Sequence, residues 1–288
     1  MSARPPDRAR RALPPAGGGA TPFAESRRAR QVWDIATKVP QLTAYFWIIK
    51  ILTTAMGEAT SDYLVHRFDP IIAVLGGFVG LLAALALQFW TRRYVAWVYW
   101  LAAVMVSIFG TMAADVLHVG FGVPYAVSAA FFAVALVVIF LVWYWRERTL
   151  SIHTVHTPLR ELFYWAAVCA TFALGTATGD LTAYTLHLGF FASGLLFAVL
   201  FAAPAVACWL GGLNPITAFW LSYIVTRPLG ASFADWGAKP TNGGGLGLGD
   251  ELVALVLTLL IVGFVAYLSV THEDIADEPA VAVAAPRG

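Results

Sequence analysis

The chain has 288 residues, of which 59% are hydrophobic and only 12% are charged, whereas about 25% of the residues in a soluble domain carry charge. This composition and the mean hydropathy of +0.73 exclude a large soluble domain and indicate a membrane protein with several spans. The formal net charge is +1, and the distribution of the charges matters more than this sum. We expect the lipid bilayer, and no nucleic acid, among the partners.

The two ends of the chain differ from its middle. Residues 1–32 are rich in Arg, Pro, Ala and Gly and contain no apolar run, which predicts a disordered basic tail, not a secretory signal. Residues 273–288 become acidic and rich in Ala and Pro, and we expect a second disordered tail there. Residues 33–272 are predicted to form a single transmembrane domain.

The middle of the chain contains eight apolar segments, each near the length of about 20 residues that crosses a hydrocarbon core. A backbone in hydrocarbon must satisfy its hydrogen bonds internally, so we interpret the segments as helices and predict an all-α polytopic membrane protein. The segments are 41–64, 70–90, 95–118, 123–145, 160–187, 190–210, 215–236 and 250–271.

The odd-numbered segments share one pattern, in which a Trp is followed by a Gly ten residues later and by an Asp five residues after that. Four copies without a gap predict an internal repeat of two helices, at approximately 40–92, 93–148, 158–211 and 213–272. Since each repeat crosses the membrane twice, the four copies are parallel, and their symmetry axis should follow the membrane normal. The sets are Trp47, Gly57, Asp62; Trp100, Gly110, Asp115; Trp165, Gly175, Asp180; and Trp220, Gly230, Asp235.

Basic residues set the predicted orientation. An eight-span topology places only Arg67 and Lys239 on one side as basic loop residues. The positive-inside rule then puts the opposite side, and with it both termini, in the cytoplasm. That side holds the basic tail together with Lys38, Arg92, Arg93, Arg146, Arg148 and Arg160.

The odd segments also carry the ionisable residues, whereas the even segments are almost purely apolar. Because charges inside a bilayer are costly and usually functional, we predict that the odd helices surround a polar centre and that the even helices face lipid. The predicted ion-binding residues are Asp62, Asp115, Asp180, Asp235 and Glu58, with Lys50 and Arg227 as internal counter-ions. Only the first repeat has an acid at the position of Glu58, and we predict that it pairs with Lys50 or Arg227 across the bundle.

Three histidines follow a repeat Asp by three, four or seven residues and could share its helix face: His66, His118 and His187. Imidazole and carboxylate together suit a divalent transition ion, so these histidines are candidate metal ligands. The fourth repeat has no such histidine, and placement at the membrane interface without ligation is the favoured alternative.

The other recurring residues are predicted to be structural. The repeat tryptophans lie near the cytoplasmic ends of the odd spans, which favours an aromatic belt, and the repeat glycines allow helices to approach closely. Cys169 and Cys208 lie in apolar segments and are predicted to be buried thiols. The Gly-rich segment 239–250 lacks the Lys-Ser/Thr ending of a phosphate-binding loop, and we expect a flexible extracytoplasmic loop.

The motifs FW…GEATSD, YW…GTMAAD, YW…GTATGD and FW…GASFAD resemble those of a family of uncharacterised bacterial membrane proteins. Its members are built from four tandem copies of a repeat of unknown function, each with two transmembrane regions and a characteristic Trp. The resemblance covers roughly residues 40–270 and implies a multi-pass protein of the bacterial inner (plasma) membrane. It implies no substrate and no activity.

Two functions fit these observations. The first is a transporter of a small solute, most plausibly a cation, because unpaired buried carboxylates hold a cation or a proton. The cation could be a divalent metal, and transport could be coupled to protons. The alternative is a non-transporting sensor or assembly scaffold whose acids are structural. No HExxH or GxSxG motif is present, so we expect no enzyme and assign no catalytic residue. The one cofactor that fits this pattern is a bound divalent cation.

Overall fold

A computed structural model of the protein describes residues 37–275, so the predicted tail at 1–32 and residues 276–288 of the predicted second tail lie outside the described residues. Residues 37–275 form eight long α-helices and no strand, as predicted. The helices are α1 (Ala44–Arg67), α2 (Pro70–Trp90), α3 (Ala96–Asp115), α4 (Tyr125–Glu147), α5 (Pro158–Asp180), α6 (Gly189–Trp209), α7 (Pro215–Ala238) and α8 (Asp250–Thr271).

Several helices begin where the sequence places a capping residue directly before a proline. The side chains of Asp69, Thr157 and Asn214 accept hydrogen bonds from backbone N–H groups of the first turns of α2, α5 and α7. A proline occupies the next position, where its missing N–H costs nothing. These short signals therefore fix the starts of three spans.

The odd-numbered helices form an inner ring. They pack on one another in the order α1, α3, α5, α7, and α7 packs against α1 to close the ring. The aromatic residues at their N-terminal ends contact one another. The ring centroids of Phe46 and Phe219, for example, are 6.2 Å apart. An acid of α1 and an acid of α7 meet near their C-terminal ends. The four inner helices are therefore parallel, as the repeat pattern predicts.

Each even-numbered helix packs mainly against the inner helix of the following repeat, not against that of its own. Helix α2 packs on α3, α4 on α5 and α6 on α7, and α8 returns to pack on α1. The four repeats are therefore interlocked in a closed circle, and a single repeat would leave its inner helix without its main cover.

The outer helices present apolar side chains to their surroundings. Between 17% and 28% of the residues in their most apolar stretches are buried, against 56% in the α3 span and 61% in the α5 span. Ile71, Val134, Val199 and Leu259, one from each outer helix, are 63% to 70% exposed. Such surfaces are a liability in water but match hydrocarbon.

Six helices, all except α1 and α7, are long and apolar enough to cross a membrane. The two exceptions carry Lys50, Glu58 and Arg227, which lowers their hydropathy, and both belong to the inner ring. The chain is therefore an integral membrane protein whose most polar helices are enclosed by the others.

One contact recurs at all four neighbouring pairs of inner helices. A Cβ added at a repeat glycine would overlap a side chain of the neighbouring inner helix, and that side chain always lies eight residues before the neighbour's repeat Asp. The repeat glycines therefore serve the predicted close approach of helices. The pairs are Gly57 with Ser107, Gly110 with Phe172, Gly175 with Arg227 and Gly230 with Thr54.

The tryptophans correct one expectation. Trp100, Trp165 and Trp220 are only 1%, 2% and 4% exposed, and Trp47 is half-buried. They pack with the neighbouring aromatic rings between the helices, and Trp220 Nε1 donates a hydrogen bond to the Leu150 carbonyl at 2.9 Å. The predicted aromatic belt is therefore wrong for these residues, because their spacing fixes depth along the helix and not whether they face lipid.

Buried polar contacts stabilise the end of the bundle at which the inner helices begin, which we call the basic end because most of the Lys and Arg residues lie there. Lys38 Nζ donates to the Glu161 carboxylate at 2.6 Å, and the Gln88 side-chain amide donates to its other oxygen at 2.9 Å. The Tyr94 hydroxyl donates to the carboxylate of Asp274, which is 2% exposed. Asp274, assigned by the sequence to the C-terminal tail, is thus packed against the helices.

Candidate functional site

Arg227 links all four inner helices. Its side chain leaves α7 and is completely buried. The guanidinium forms an ion pair with Glu58 of α1 and donates to the hydroxyl groups of Thr111 of α3 and Thr176 of α5, the latter at 2.8 Å. A second nitrogen donates to the Thr54 carbonyl at 3.3 Å. Arg227 is thus one of the two bases predicted as partners of Glu58.

Three carboxylates converge beside this ion pair. Glu58 and Asp62 lie one turn apart on α1, and Asp235 lies on α7, where the ring closes. Carboxylate oxygens of these three residues lie within 4.8 Å of one another. We call Glu58, Asp62 and Asp235 the acid cluster. Since like charges at this separation repel, the cluster requires neighbouring cations or protons.

Lys239 supplies one such cation. It follows the last residue of α7, and its ammonium contacts the carboxylates of Asp62, of Asp235 at 3.8 Å and of Asp250 at 3.3 Å. Burial lowers the pKa of Lys239. The negative charges of Asp62 and Asp235 raise it by more than burial lowers it, so the pKa of Lys239 lies above the ordinary value. The side chain therefore remains an ammonium at neutral pH.

The remaining repeat acids, Asp115 and Asp180, end α3 and α5 and stand outside the acid cluster. Each is followed by a π-helical turn, Val116–Gly120 and Leu181–Thr185. Both are within electrostatic range of Glu58 and Asp62. Short π-helical segments are frequent at functional sites, and here they interrupt the regular helix directly after the repeat Asp.

Lys50, the other predicted counter-ion, does not pair with Glu58. It lies two turns before Glu58 on α1 and is 1% exposed, and its Nζ has no hydrogen-bond partner among the described residues. The ammonium is 3.8 Å from the ring centroid of Phe172 and 4.2 Å from that of Tyr223, as in a cation–π contact. Phe172, which lies eight residues before the repeat Asp of α5, thus contacts a base.

Aromatic residues close the ring at its N-terminal end. The residues directly before the repeat tryptophans are between 0% and 6% exposed. The hydroxyls of two of them, Tyr99 and Tyr164, are 2.5 Å apart. This layer separates the polar centre from the basic end of the bundle. Its members are Phe46, Tyr99, Tyr164 and Phe219.

The histidines are not brought to the acids as a set. His66 is exposed, and its ring lies 2.7 Å from the Asp62 carbonyl of its own helix. His118 is buried against Ser128, and His187 is exposed in the left-handed conformation, with φ of 54°. Among the described residues, the one group of three or more potential metal ligands contains carboxylates alone.

Two members of the site were missed by sequence reasoning. Lys239 was interpreted only as a basic loop residue, and Asp250 received no role. The available signal was spacing, because Lys239 follows Asp235 by four residues and therefore lies one turn further along the same face. The segment after Lys239 folds back on α7, which brings Asp250 near. Cys169 and Cys208 are free thiols and are half-buried, whereas the sequence predicted that both are buried.

Comparison of the chain with curated proteins and with solved structures finds no match. The Repeat of Unknown Function (DUF347) matches the chain four times, at residues 45–94, 98–149, 163–211 and 218–274. Each match contains one outer helix and most of one inner helix, and together the matches cover well over half of the chain. The chain therefore belongs to the family defined by the Repeat of Unknown Function (DUF347), which it carries in four tandem copies.

Proposed function

We propose that the protein transports a small cation across the membrane through the acid cluster. The observation that carries the proposal is the convergence of Glu58, Asp62 and Asp235 where the inner ring closes. Charged acids inside a membrane domain lower its stability, and those that occur commonly mark the path of an ion or a proton.

The charge balance favours a cation over an anion. The acid cluster, Asp115, Asp180 and Asp250 provide six carboxylates, whereas Arg227, Lys239 and Lys50 provide three bases among the described residues of the same region. The three clustered ligands are all oxygens, which suit hard cations such as Mg²⁺, Ca²⁺, Mn²⁺ or Na⁺ better than soft ones. Proton coupling is part of the proposal, since protons compete with cations for the same carboxylates.

The test replaces each repeat Asp by Asn, which has nearly the same shape and can still hydrogen-bond but cannot carry a negative charge. Cation flux is measured in proteoliposomes for the wild type and for each variant. We expect Asp62→Asn and Asp235→Asn to abolish most flux in folded protein, and Asp115→Asn and Asp180→Asn to reduce it less. Glu147→Gln is the control, because this acid pairs with Arg160 at 2.6 Å at the basic end. Four folded Asn variants with unchanged flux would refute the proposal.

The second candidate is a scaffold or sensor in which the acids only join helices. It is favoured by Arg227, whose single guanidinium contacts the three other inner helices. Under this function, Asp62→Asn and Asp235→Asn lower stability by about 1 kcal/mol per weakened hydrogen bond, and no cation is carried by the wild type.

We further propose that the protein lies in the bacterial inner membrane with both termini in the cytoplasm. The excess of Lys and Arg at the N-terminal ends of the inner helices supports this orientation. The test introduces single cysteines at the exposed positions Arg93 and Asn242 after replacement of Cys169 and Cys208. A membrane-impermeant thiol reagent applied to intact cells should label Asn242→Cys and spare Arg93→Cys, and the reverse result would invert the topology.

A further inference from the structure

Lys239 occupies the acid cluster from the side opposite Arg227. Its ammonium contacts two members of the cluster, Asp62 of α1 and Asp235 of α7, and also Asp250 of α8. Arg227 contacts the cluster through Glu58, which lies one turn before Asp62 on α1. The cluster is therefore held between two cations of the protein itself.

The two cations differ in their access to solvent. The Arg227 side chain is 0% exposed, whereas the Lys239 side chain is 20% exposed. A pocket of about 470 Å³, lined by residues of α1, of α8 and of the segment before α8, among them Arg67, Asp250 and Glu251, opens beside the third carboxylate that Lys239 contacts. Of the two cations, Lys239 is thus the one that can leave the cluster without unpacking the inner ring.

The backbone around Lys239 is fixed, although its side chain is long and flexible. The segment after Lys239 folds back on the last turn of α7, with the Gly247 N–H donating to the Lys239 carbonyl at 2.9 Å and the Gly249 N–H to that of Ala238 at 3.1 Å. A Cβ at Gly245 would overlap the Lys239 carbonyl oxygen, so the approach is close. This segment, expected to be a flexible loop, is instead a compact support for one lysine.

We propose that Lys239 is the outer gate of the acid cluster, and that its ammonium holds the place of the transported cation until that cation displaces it. The inference rests on the proposed transport function and adds the residue that controls entry. The three carboxylates around this alkylammonium offer the oxygen ligands that small hard cations take. When the cation binds, the lysine side chain moves into the adjoining pocket.

The test measures binding of Mn²⁺ to the purified full-length protein, from the electron paramagnetic resonance signal of the free ion. Lys239→Gln leaves the carboxylates with one cation fewer, and at the separations seen here this raises affinity by roughly tenfold or more. Lys239→Arg keeps the charge and should bind about as weakly as the wild type. Lys38→Gln is the matched control, because it removes a lysine from a buried ion pair of 2.6 Å at the opposite end of the bundle.

The outcomes separate this inference from the proposed function. Wild-type binding that Lys239→Gln leaves unchanged, or that Lys38→Gln strengthens equally, would overturn the gate and leave transport standing. Absence of Mn²⁺ binding and of any cation flux in all variants would overturn the proposed function. If Lys239→Gln does not fold, the double variant Lys239→Gln with Asp250→Asn leaves less unpaired negative charge. This double variant should then bind Mn²⁺ more tightly than Asp250→Asn alone.

Discussion

Gly230 receives the side chain of Thr54, and this contact closes the ring of inner helices between the last repeat and the first. The same contact joins each of the other neighbouring pairs of inner helices. The fourfold arrangement therefore depends on four positions at which a methyl group has no room.

Gly110→Ala should destabilise the protein by about 1–3 kcal/mol, because its added Cβ would lie 2.7 Å from the Phe172 Cβ. Gly76→Ala on α2 is the control, since nothing lies within 4 Å of a Cβ there. That change should be neutral or stabilising by up to about 1 kcal/mol. Thermal unfolding in detergent compares the two, and equal melting temperatures would contradict the close contact.

Arg227→Met should cost about 3–5 kcal/mol, because it leaves Glu58 charged and buried without its partner. The double variant Arg227→Met with Glu58→Gln should recover much of this loss, since no unpaired charge then remains. Unfolding of the two single variants and the double variant forms a double-mutant cycle. Additive losses would show that Arg227 and Glu58 do not act as a pair.

Glu58→Gln should harm stability and activity more than Thr111→Val does. Both residues contact the same guanidinium, but the carboxylate supplies the opposite charge and the threonine only a neutral acceptor. Purification yield, melting temperature and cation flux of the two variants provide the comparison. Equal tolerance of both substitutions would contradict the special place of the first repeat.

Loss of the Asp274 proton should lower the free energy of unfolding as the pH rises from about 4 to 7. Burial raises the pKa of this carboxyl group above its ordinary value, although hydrogen bonds from Tyr94 and the backbone oppose the shift. The folded state therefore binds the proton more tightly than the unfolded chain does, and the favourable contribution present below about pH 4 is lost as the pH passes the folded-state pKa.

Asp274→Asn removes this titration and serves as the reference. The melting temperature of the wild type minus that of the variant should fall between pH 4 and pH 7. Asn can still accept the Tyr94 hydrogen bond, so the comparison isolates the charge. A difference that instead grows with pH would show that the folded state favours the ionised carboxylate.

Spacing along the sequence was sufficient to predict the inner ring. The distance from each repeat Trp to its Gly and Asp fixes relative depth, because every helical residue adds about 1.5 Å along the axis. The meeting of Asp62 with Asp235 follows once the polar faces of parallel helices turn inward. The pairing of Glu58 with a base across the bundle was also predicted from charge alone.

Which helices and side chains lie next to one another in the bundle could not be predicted from the spacing. The repeat pattern reads identically whether an outer helix covers its own inner helix or the next one, so the interlocking of repeats was not visible. Lys50 and Arg227 lie on equivalent polar faces, and only the three-dimensional packing decides that Arg227 reaches Glu58 while Lys50 meets Phe172. The same limit applies to Lys239, whose partners come from three different helices.

The return of α8 to α1 has a consequence for biosynthesis. The ribosome makes α1 before the other seven described helices, yet the outer helix that covers it is the last of them to be made. Until then Glu58 and Asp62 have neither Arg227 nor Lys239 beside them. The ion pairs of the acid cluster therefore form only after the fourth repeat has been made.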